Sequence, residues 1–186
     1  MYGLSKIYII DLYLKYKNDL IKWSYKAPPK TKELAVQALV RSRLSYCAPI
    51  WDPHTQSHIN QIEMVQRRAA RYVLGIYDPY ASVSNMFTQL NWYPLSFHRE
   101  RQRLILLYKI VNNLVAVDIS QYTSAYTGRS RHFNSHSLHI PHSSCNIHKY
   151  SFFPRTIPVW NALPNSVVSA PSVDAFKQRL MNHTSA

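Results

Sequence analysis

The stretch Ile62–Gly75, IEMVQRRAARYVLG, decides how the chain is to be read. At about 100° per residue, Ile59, Ile62, Val65, Ala69, Tyr72 and Val73 gather on one arc. Arg67, Arg68 and Arg71 fall on the other side, with Arg71 roughly 180° from Ile62. Gly75 stands where a helix stops in left-handed backbone. The spacing predicts an amphipathic helix that opens near Thr55 or Gln56, buries its apolar arc and turns its arginines outward.

Working outward from that helix, the chain reads as mainly α. Residues 1–26, rich in Tyr, Ile and Lys, form a separate segment, expected to be helical, that ends at the breaker APPK. Thr31 is the expected N-cap of a helix through ELAVQALVRSRL, with Glu33 in its first turn. That helix ends before Pro49, and Pro49 and Pro53 bracket Trp51 in a corner expected to hold the indole inward. Downstream, SVSNMFTQL is a short helix capped by Ser82. SFHRERQRLILLYKIVNN follows as a long helix whose first half carries Arg99, Arg101 and Arg103. Its second half is apolar almost all round, the mark of a central helix.

After Asp118 the texture changes, because no acid occurs between Ile119 and Val173. The segment 118–186 reads as basic loops with a few short strands, at HSLHIP and SFFPRTIPVW, and a last helix from near Ser172. The expected organisation is therefore a helical bundle over 27–117 and a loop-rich carboxyl-terminal part over 118–186.

Composition bounds the function. The chain has 186 residues, 46% of them hydrophobic, which suits a packed core rather than disorder. Twenty-two Lys and Arg against nine Asp and Glu give a net charge of +13, so polyanions are the favoured partners. A membrane is the weaker alternative and is not expected. The start, IYIIDLYLKYKNDL, is broken by Asp11 and Lys15 and matches neither a signal peptide nor a span. Cys47 and Cys145 form no CxxC pair, and an intracellular reducing compartment, nuclear or cytoplasmic, is expected.

Three glycines, Gly3, Gly75 and Gly128, leave no room for a phosphate-binding glycine loop. The carboxylates lie singly along the chain, whereas two-metal phosphoryl chemistry needs several converging on the ions. No catalytic residue and no cofactor are expected. His136, His139, His142 and Cys145 have ligand chemistry for zinc, but the lone cysteine has no partner pair. The commoner reading is a polar surface loop, and no metal is expected there. Arginines on an amphipathic helix are often only a solvated face. Here they recur, as Arg41 and Arg43, then Arg67, Arg68 and Arg71, then Arg99, Arg101 and Arg103. Their planar forks match phosphate oxygens. On one surface they would make roughly six to eight phosphate contacts and a steep salt dependence.

Several blocks in order resemble a known family. ALVRSRLSYCAPIWDPHT, INQIEMVQRRAARYVLG and SVSNMFTQLNWYPLSFHRERQRLILLYKIVNN are similar to the segment downstream of the polymerase core in non-LTR, LINE-like retrotransposon reverse transcriptases. The jockey and chicken-repeat-like groups come nearest. SFFPRTIPVWNALPNSVVSAPSVDAFKQRL resembles their carboxyl-terminal signature. The resemblance covers about Ala27 to Met181, and residues 1–26 do not continue it. The family's palm carries a paired-aspartate motif, which this chain does not contain. The resemblance thus implies a thumb and carboxyl-terminal appendix without fingers or palm, a non-catalytic remnant of an RNA-directed DNA polymerase. It implies RNA or an RNA–DNA duplex as partner, with Arg41, Arg43, Arg67, Arg68 and Arg71 in the grip. It implies the palm and fingers as partners in the intact parent. On physical grounds Trp51, Phe152, Phe153, Arg155, Trp160 and Leu163 are expected to be structural anchors, since aromatic clusters are more often core than stacking platform. The rival expectation is a structural module that packs against a missing palm and binds no nucleic acid itself.

Overall fold

The computed structural model describes residues 26–128 and 134–184, so the helix expected over 1–26 lies, save for Lys26, outside the described residues. The described chain is mainly helical. It divides into two compact units between Arg99 and Glu100. Leu104, Leu107 and Tyr108 belong to the core of the second unit.

In the first unit, helix α1 (Pro29–Val36) begins on Pro28 and Pro29 rather than on a Thr31 cap. Proline at the first helical position gives up only an N–H that has no helical partner anyway. α1 runs through a π turn at Gln37–Arg41 into α2 (Ser42–Ser45). Cys47, in left-handed backbone, leads into the short α3 (Ala48–Trp51). Trp51 is only half-buried, its indole N–H donating to the Tyr46 carbonyl at 2.7 Å, and Pro53 is the buried residue of the corner. Helix α4 (Gln56–Leu74) stops at Gly75, whose φ of 69° is the left-handed value expected from the sequence. Helix α5 (Val83–Leu90) is capped by Ser82, whose hydroxyl accepts from the Asn85 N–H. Val36, Val40 and Leu44 pack with Val65, Ala69, Tyr72 and Val73 of α4, and Met86, Trp92 and Leu95 close this core. Trp92 donates its indole N–H to Glu33 at 2.9 Å, which fixes α1 to the core.

The boundary falls inside helix α6 (Leu95–Val111). In the second unit α6 is followed by a 3₁₀ turn at Ile119–Gln121, the short α7 (Asn146–Lys149), α8 (Phe152–Asn161), α9 (Asn165–Val168) and α10 (Val173–Thr184). The strands expected here are absent among the described residues. HSLHIP contributes one isolated antiparallel bridge, Ala125 with Leu138. SFFPRTIPVW is helix α8: Pro154 sits in the first turn, where no N–H is required, and Ile157 and Trp160 recur on the buried side. A helical burial period overrides the β-favouring composition. Tyr108 stacks on Phe176 at 4.4 Å between centroids and donates its hydroxyl to Ala170 at 2.7 Å. Trp160, Leu163, Val167 and Leu180 complete this second core.

Two asparagines stitch segment 134–139 to the end of α8. Asn134 donates to the carbonyls of Trp160 and Leu163 at 2.9 and 3.1 Å. Asn161 accepts from the Leu138 N–H at 2.9 Å and donates to its carbonyl at 2.8 Å. Among the described residues no helix is long and apolar enough to cross a membrane.

Candidate functional site

The outward face of α4 is a charged surface of the first unit. Glu63, Val65, Gln66, Ala69, Ala70, Tyr72 and Val73 are buried on one side of this helix. Arg67 and Arg68 are exposed, and Arg71 is half-buried. On a helical wheel these three lie within about 100° of one another, opposite the middle of the buried arc. Met64 shares their side, 42% exposed, and the Arg68 guanidinium lies 3.7 Å from its sulfur. The Nε of Arg71 is enclosed and has no hydrogen-bond partner among the described residues.

The electrostatics follow from one side-chain direction. Glu63 is the single acid on α4, and it points into the unit. Its carboxylate accepts from the N–H groups of Leu95 and Ser96 at 3.1 and 2.7 Å, at the N-terminus of α6, where a negative charge is favoured. The same carboxylate is 3.6 Å from Arg99. No acid on α4 therefore neutralises Arg67, Arg68 or Arg71.

The other arginine pairs are placed differently. Arg43 is exposed, whereas Arg41 is half-buried with its guanidinium against the ring of His98. Burial lowers the Arg41 pKa, opposed by the charge of Glu33. Arg99 and Arg103 are corrections to the expected basic face. Arg99 is 3% exposed and its Nε donates to Asp52 at 2.7 Å. Burial pushes its pKa down and Glu63 pulls it up. Arg103 is 5% exposed, with Glu100 at 3.9 Å one turn away. Burial and then the neighbouring charge of Arg155 bring the Arg103 pKa down to about 10. Arg101 is half-buried, donating to the Lys177 carbonyl at 3.3 Å and touching Met181. These three are engaged within their own units and do not form a surface stripe.

Of the expected anchors, Trp160 and Leu163 are buried in the second core, and Trp160 donates its indole N–H to the His136 carbonyl at 2.9 Å. Phe152 and Phe153 pack at its edge, where Phe153 stacks on Tyr122 at 4.5 Å. Arg155 is half-buried, and Trp51 belongs to the other unit. His136, His139, His142 and Cys145 are exposed, and no group of three or more potential ligands is gathered for a metal among the described residues. Sequence reasoning missed the Asp52–Arg99–Glu63 cluster and the asparagine clamp. Both join residues more than twenty positions apart, so no local spacing announces them.

Comparison with models of protein families, with curated proteins and with solved structures returned no match.

Proposed function

We propose that this chain is a non-catalytic module of non-LTR reverse-transcriptase type, thumb-like in its first unit, that holds nucleic acid through backbone phosphates. The observation that carries the reading is the α4 face: Arg67, Arg68 and Arg71 point away from an apolar core while the helix's one carboxylate points into it. Guanidinium forks in that setting pair with phosphate oxygens two at a time. The overall charge of +13 strengthens the attraction at longer range. The family blocks noted in the sequence supply the ancestry, and RNA or an RNA–DNA duplex is the ligand they favour.

Titration of duplex and structured RNA at about 50 and 200 mM salt tests the reading. Three phosphate contacts give a logarithmic salt slope near −2.7, so affinity should fall roughly 40-fold over that range. No binding at the lower salt would end the proposal. The exposed Leu34, Tyr46 and Ile50 of the first unit favour a second reading, a module that packs against a polymerase palm. That reading expects salt-independent association with a palm domain and no affinity for nucleic acid.

A further inference from the structure

The chain leaves the arginine-bearing helix α4 at Gly75, in left-handed backbone. The chain continues through Ile76–Ala81, and two tyrosines there stand in solvent, Tyr77 at 68% and Tyr80 at 94% exposed. Single exposed aromatics need no explanation, but two, three residues apart in one turn directly after a basic helix face, are a different matter.

The turn is held by its own backbone. The N–H of Ile76 donates to the Arg71 carbonyl at 3.1 Å, which folds the segment back onto the last turn of α4. Asp78 accepts from the Tyr80 N–H at 2.9 Å through its side chain and from the Ala81 N–H at 3.2 Å through its carbonyl. Pro79 fixes one more backbone angle between them. Asp78, the one acid of the turn, is thereby directed at backbone. The backbone that carries the two tyrosine rings is thus held by hydrogen bonds within the turn.

We infer that Tyr77 and Tyr80 form a stacking platform for unpaired bases, continuous with the phosphate-binding arginines. The ligand class is single-stranded nucleic acid, or the unpaired overhang of a duplex whose backbone lies along α4. Every base has a π face, so the platform is tolerant of sequence, while the arginines supply the charge complementarity. The inference rests on the phosphate-binding reading of α4 and extends it from backbone to bases.

The full chain, its Y77A/Y80A and Y77F/Y80F variants and the R67Q/R68Q/R71Q variant would be titrated with an oligothymidine strand and with a blunt duplex. Y77A/Y80A should bind the single strand about tenfold or more weakly, since the two lost stacks, each of about fivefold or more, multiply. Its affinity for blunt duplex and its salt slope should stay at the wild-type values. Y77F/Y80F should bind both ligands as the wild type does, because stacking uses the ring and not the hydroxyl. The arginine variant should lose both ligands. Wild-type binding of the strand that survives Y77A/Y80A within twofold, or an equal loss on both ligands, overturns the platform and leaves the phosphate reading standing. A wild-type chain that binds neither ligand overturns both.

Discussion

Helices α4 and α6 each carry three arginines within five residues, and the fold places them differently. On α4, Arg67, Arg68 and Arg71 sit opposite the buried arc. On α6, Arg99 and Arg103 lie one turn apart on a side that is itself buried, each within its own unit. The difference lies in what faces each helix. Asp52 and Glu63 wait inside the first unit and draw Arg99 in, whereas the single acid of α4 is used at the N-terminus of α6. A run of arginines in a sequence therefore names a charge and not a surface; the partner acids decide which it becomes.

The largest expected effect lies on the buried side. Arg99→Met would leave Asp52 and Glu63 enclosed without their cation, at a cost of about 3–5 kcal/mol. Urea unfolding of the variant checks this, and an unchanged midpoint would show that the cluster is not a lock. On the exposed side the ranking reverses. R67E/R68E/R71E should move the unfolding midpoint by about 1 kcal/mol or less while lowering nucleic-acid affinity roughly a hundredfold or more. Loss of fold with retained binding would break the comparison outright.

Two smaller effects sharpen it. Glu63→Gln keeps the shape but removes the charge that Arg99 and two helix N–H groups share, for about 1–3 kcal/mol in the same unfolding measurement. Arg103→Met should be the mildest, within about 1 kcal/mol of wild type or slightly stabilising, because the buried cation is itself disfavoured. The sign with pH follows. Burial brings the pKa of folded Arg103 down to about 10, below that of the residue in the unfolded chain. The penalty is complete below pH 10 and fades above it, so the wild type should gain on R103M between about pH 8 and pH 11.

Much of the fold could be read from the residues themselves. Helix α4, its buried arc and its Gly75 stop follow from the 3.6-residue period and one glycine. Ser82 before α5 has the chemistry of a cap and serves as one. The misread part, SFFPRTIPVW, is rich in aromatics and β-branched residues, and its prolines look like strand punctuation. The buried spacing of Ile157 and Trp160 is the signal that outweighs them. For the site, the outward arginines of α4 were legible because a single helix sets their direction. Arg99 and Arg103 were not, since their burial depends on acids and on a core that the wheel of α6 alone does not contain.

The Asn161 amide meets both the N–H and the carbonyl of Leu138, so one side chain takes the place of a neighbouring strand. Residues 124–126 pair with one side of segment 134–139 through the Ala125–Leu138 bridge, and Asn161 satisfies the other side at Leu138. Where a sheet would have left a free rim inviting another polypeptide to add on, this unit closes the seam with a residue of its own.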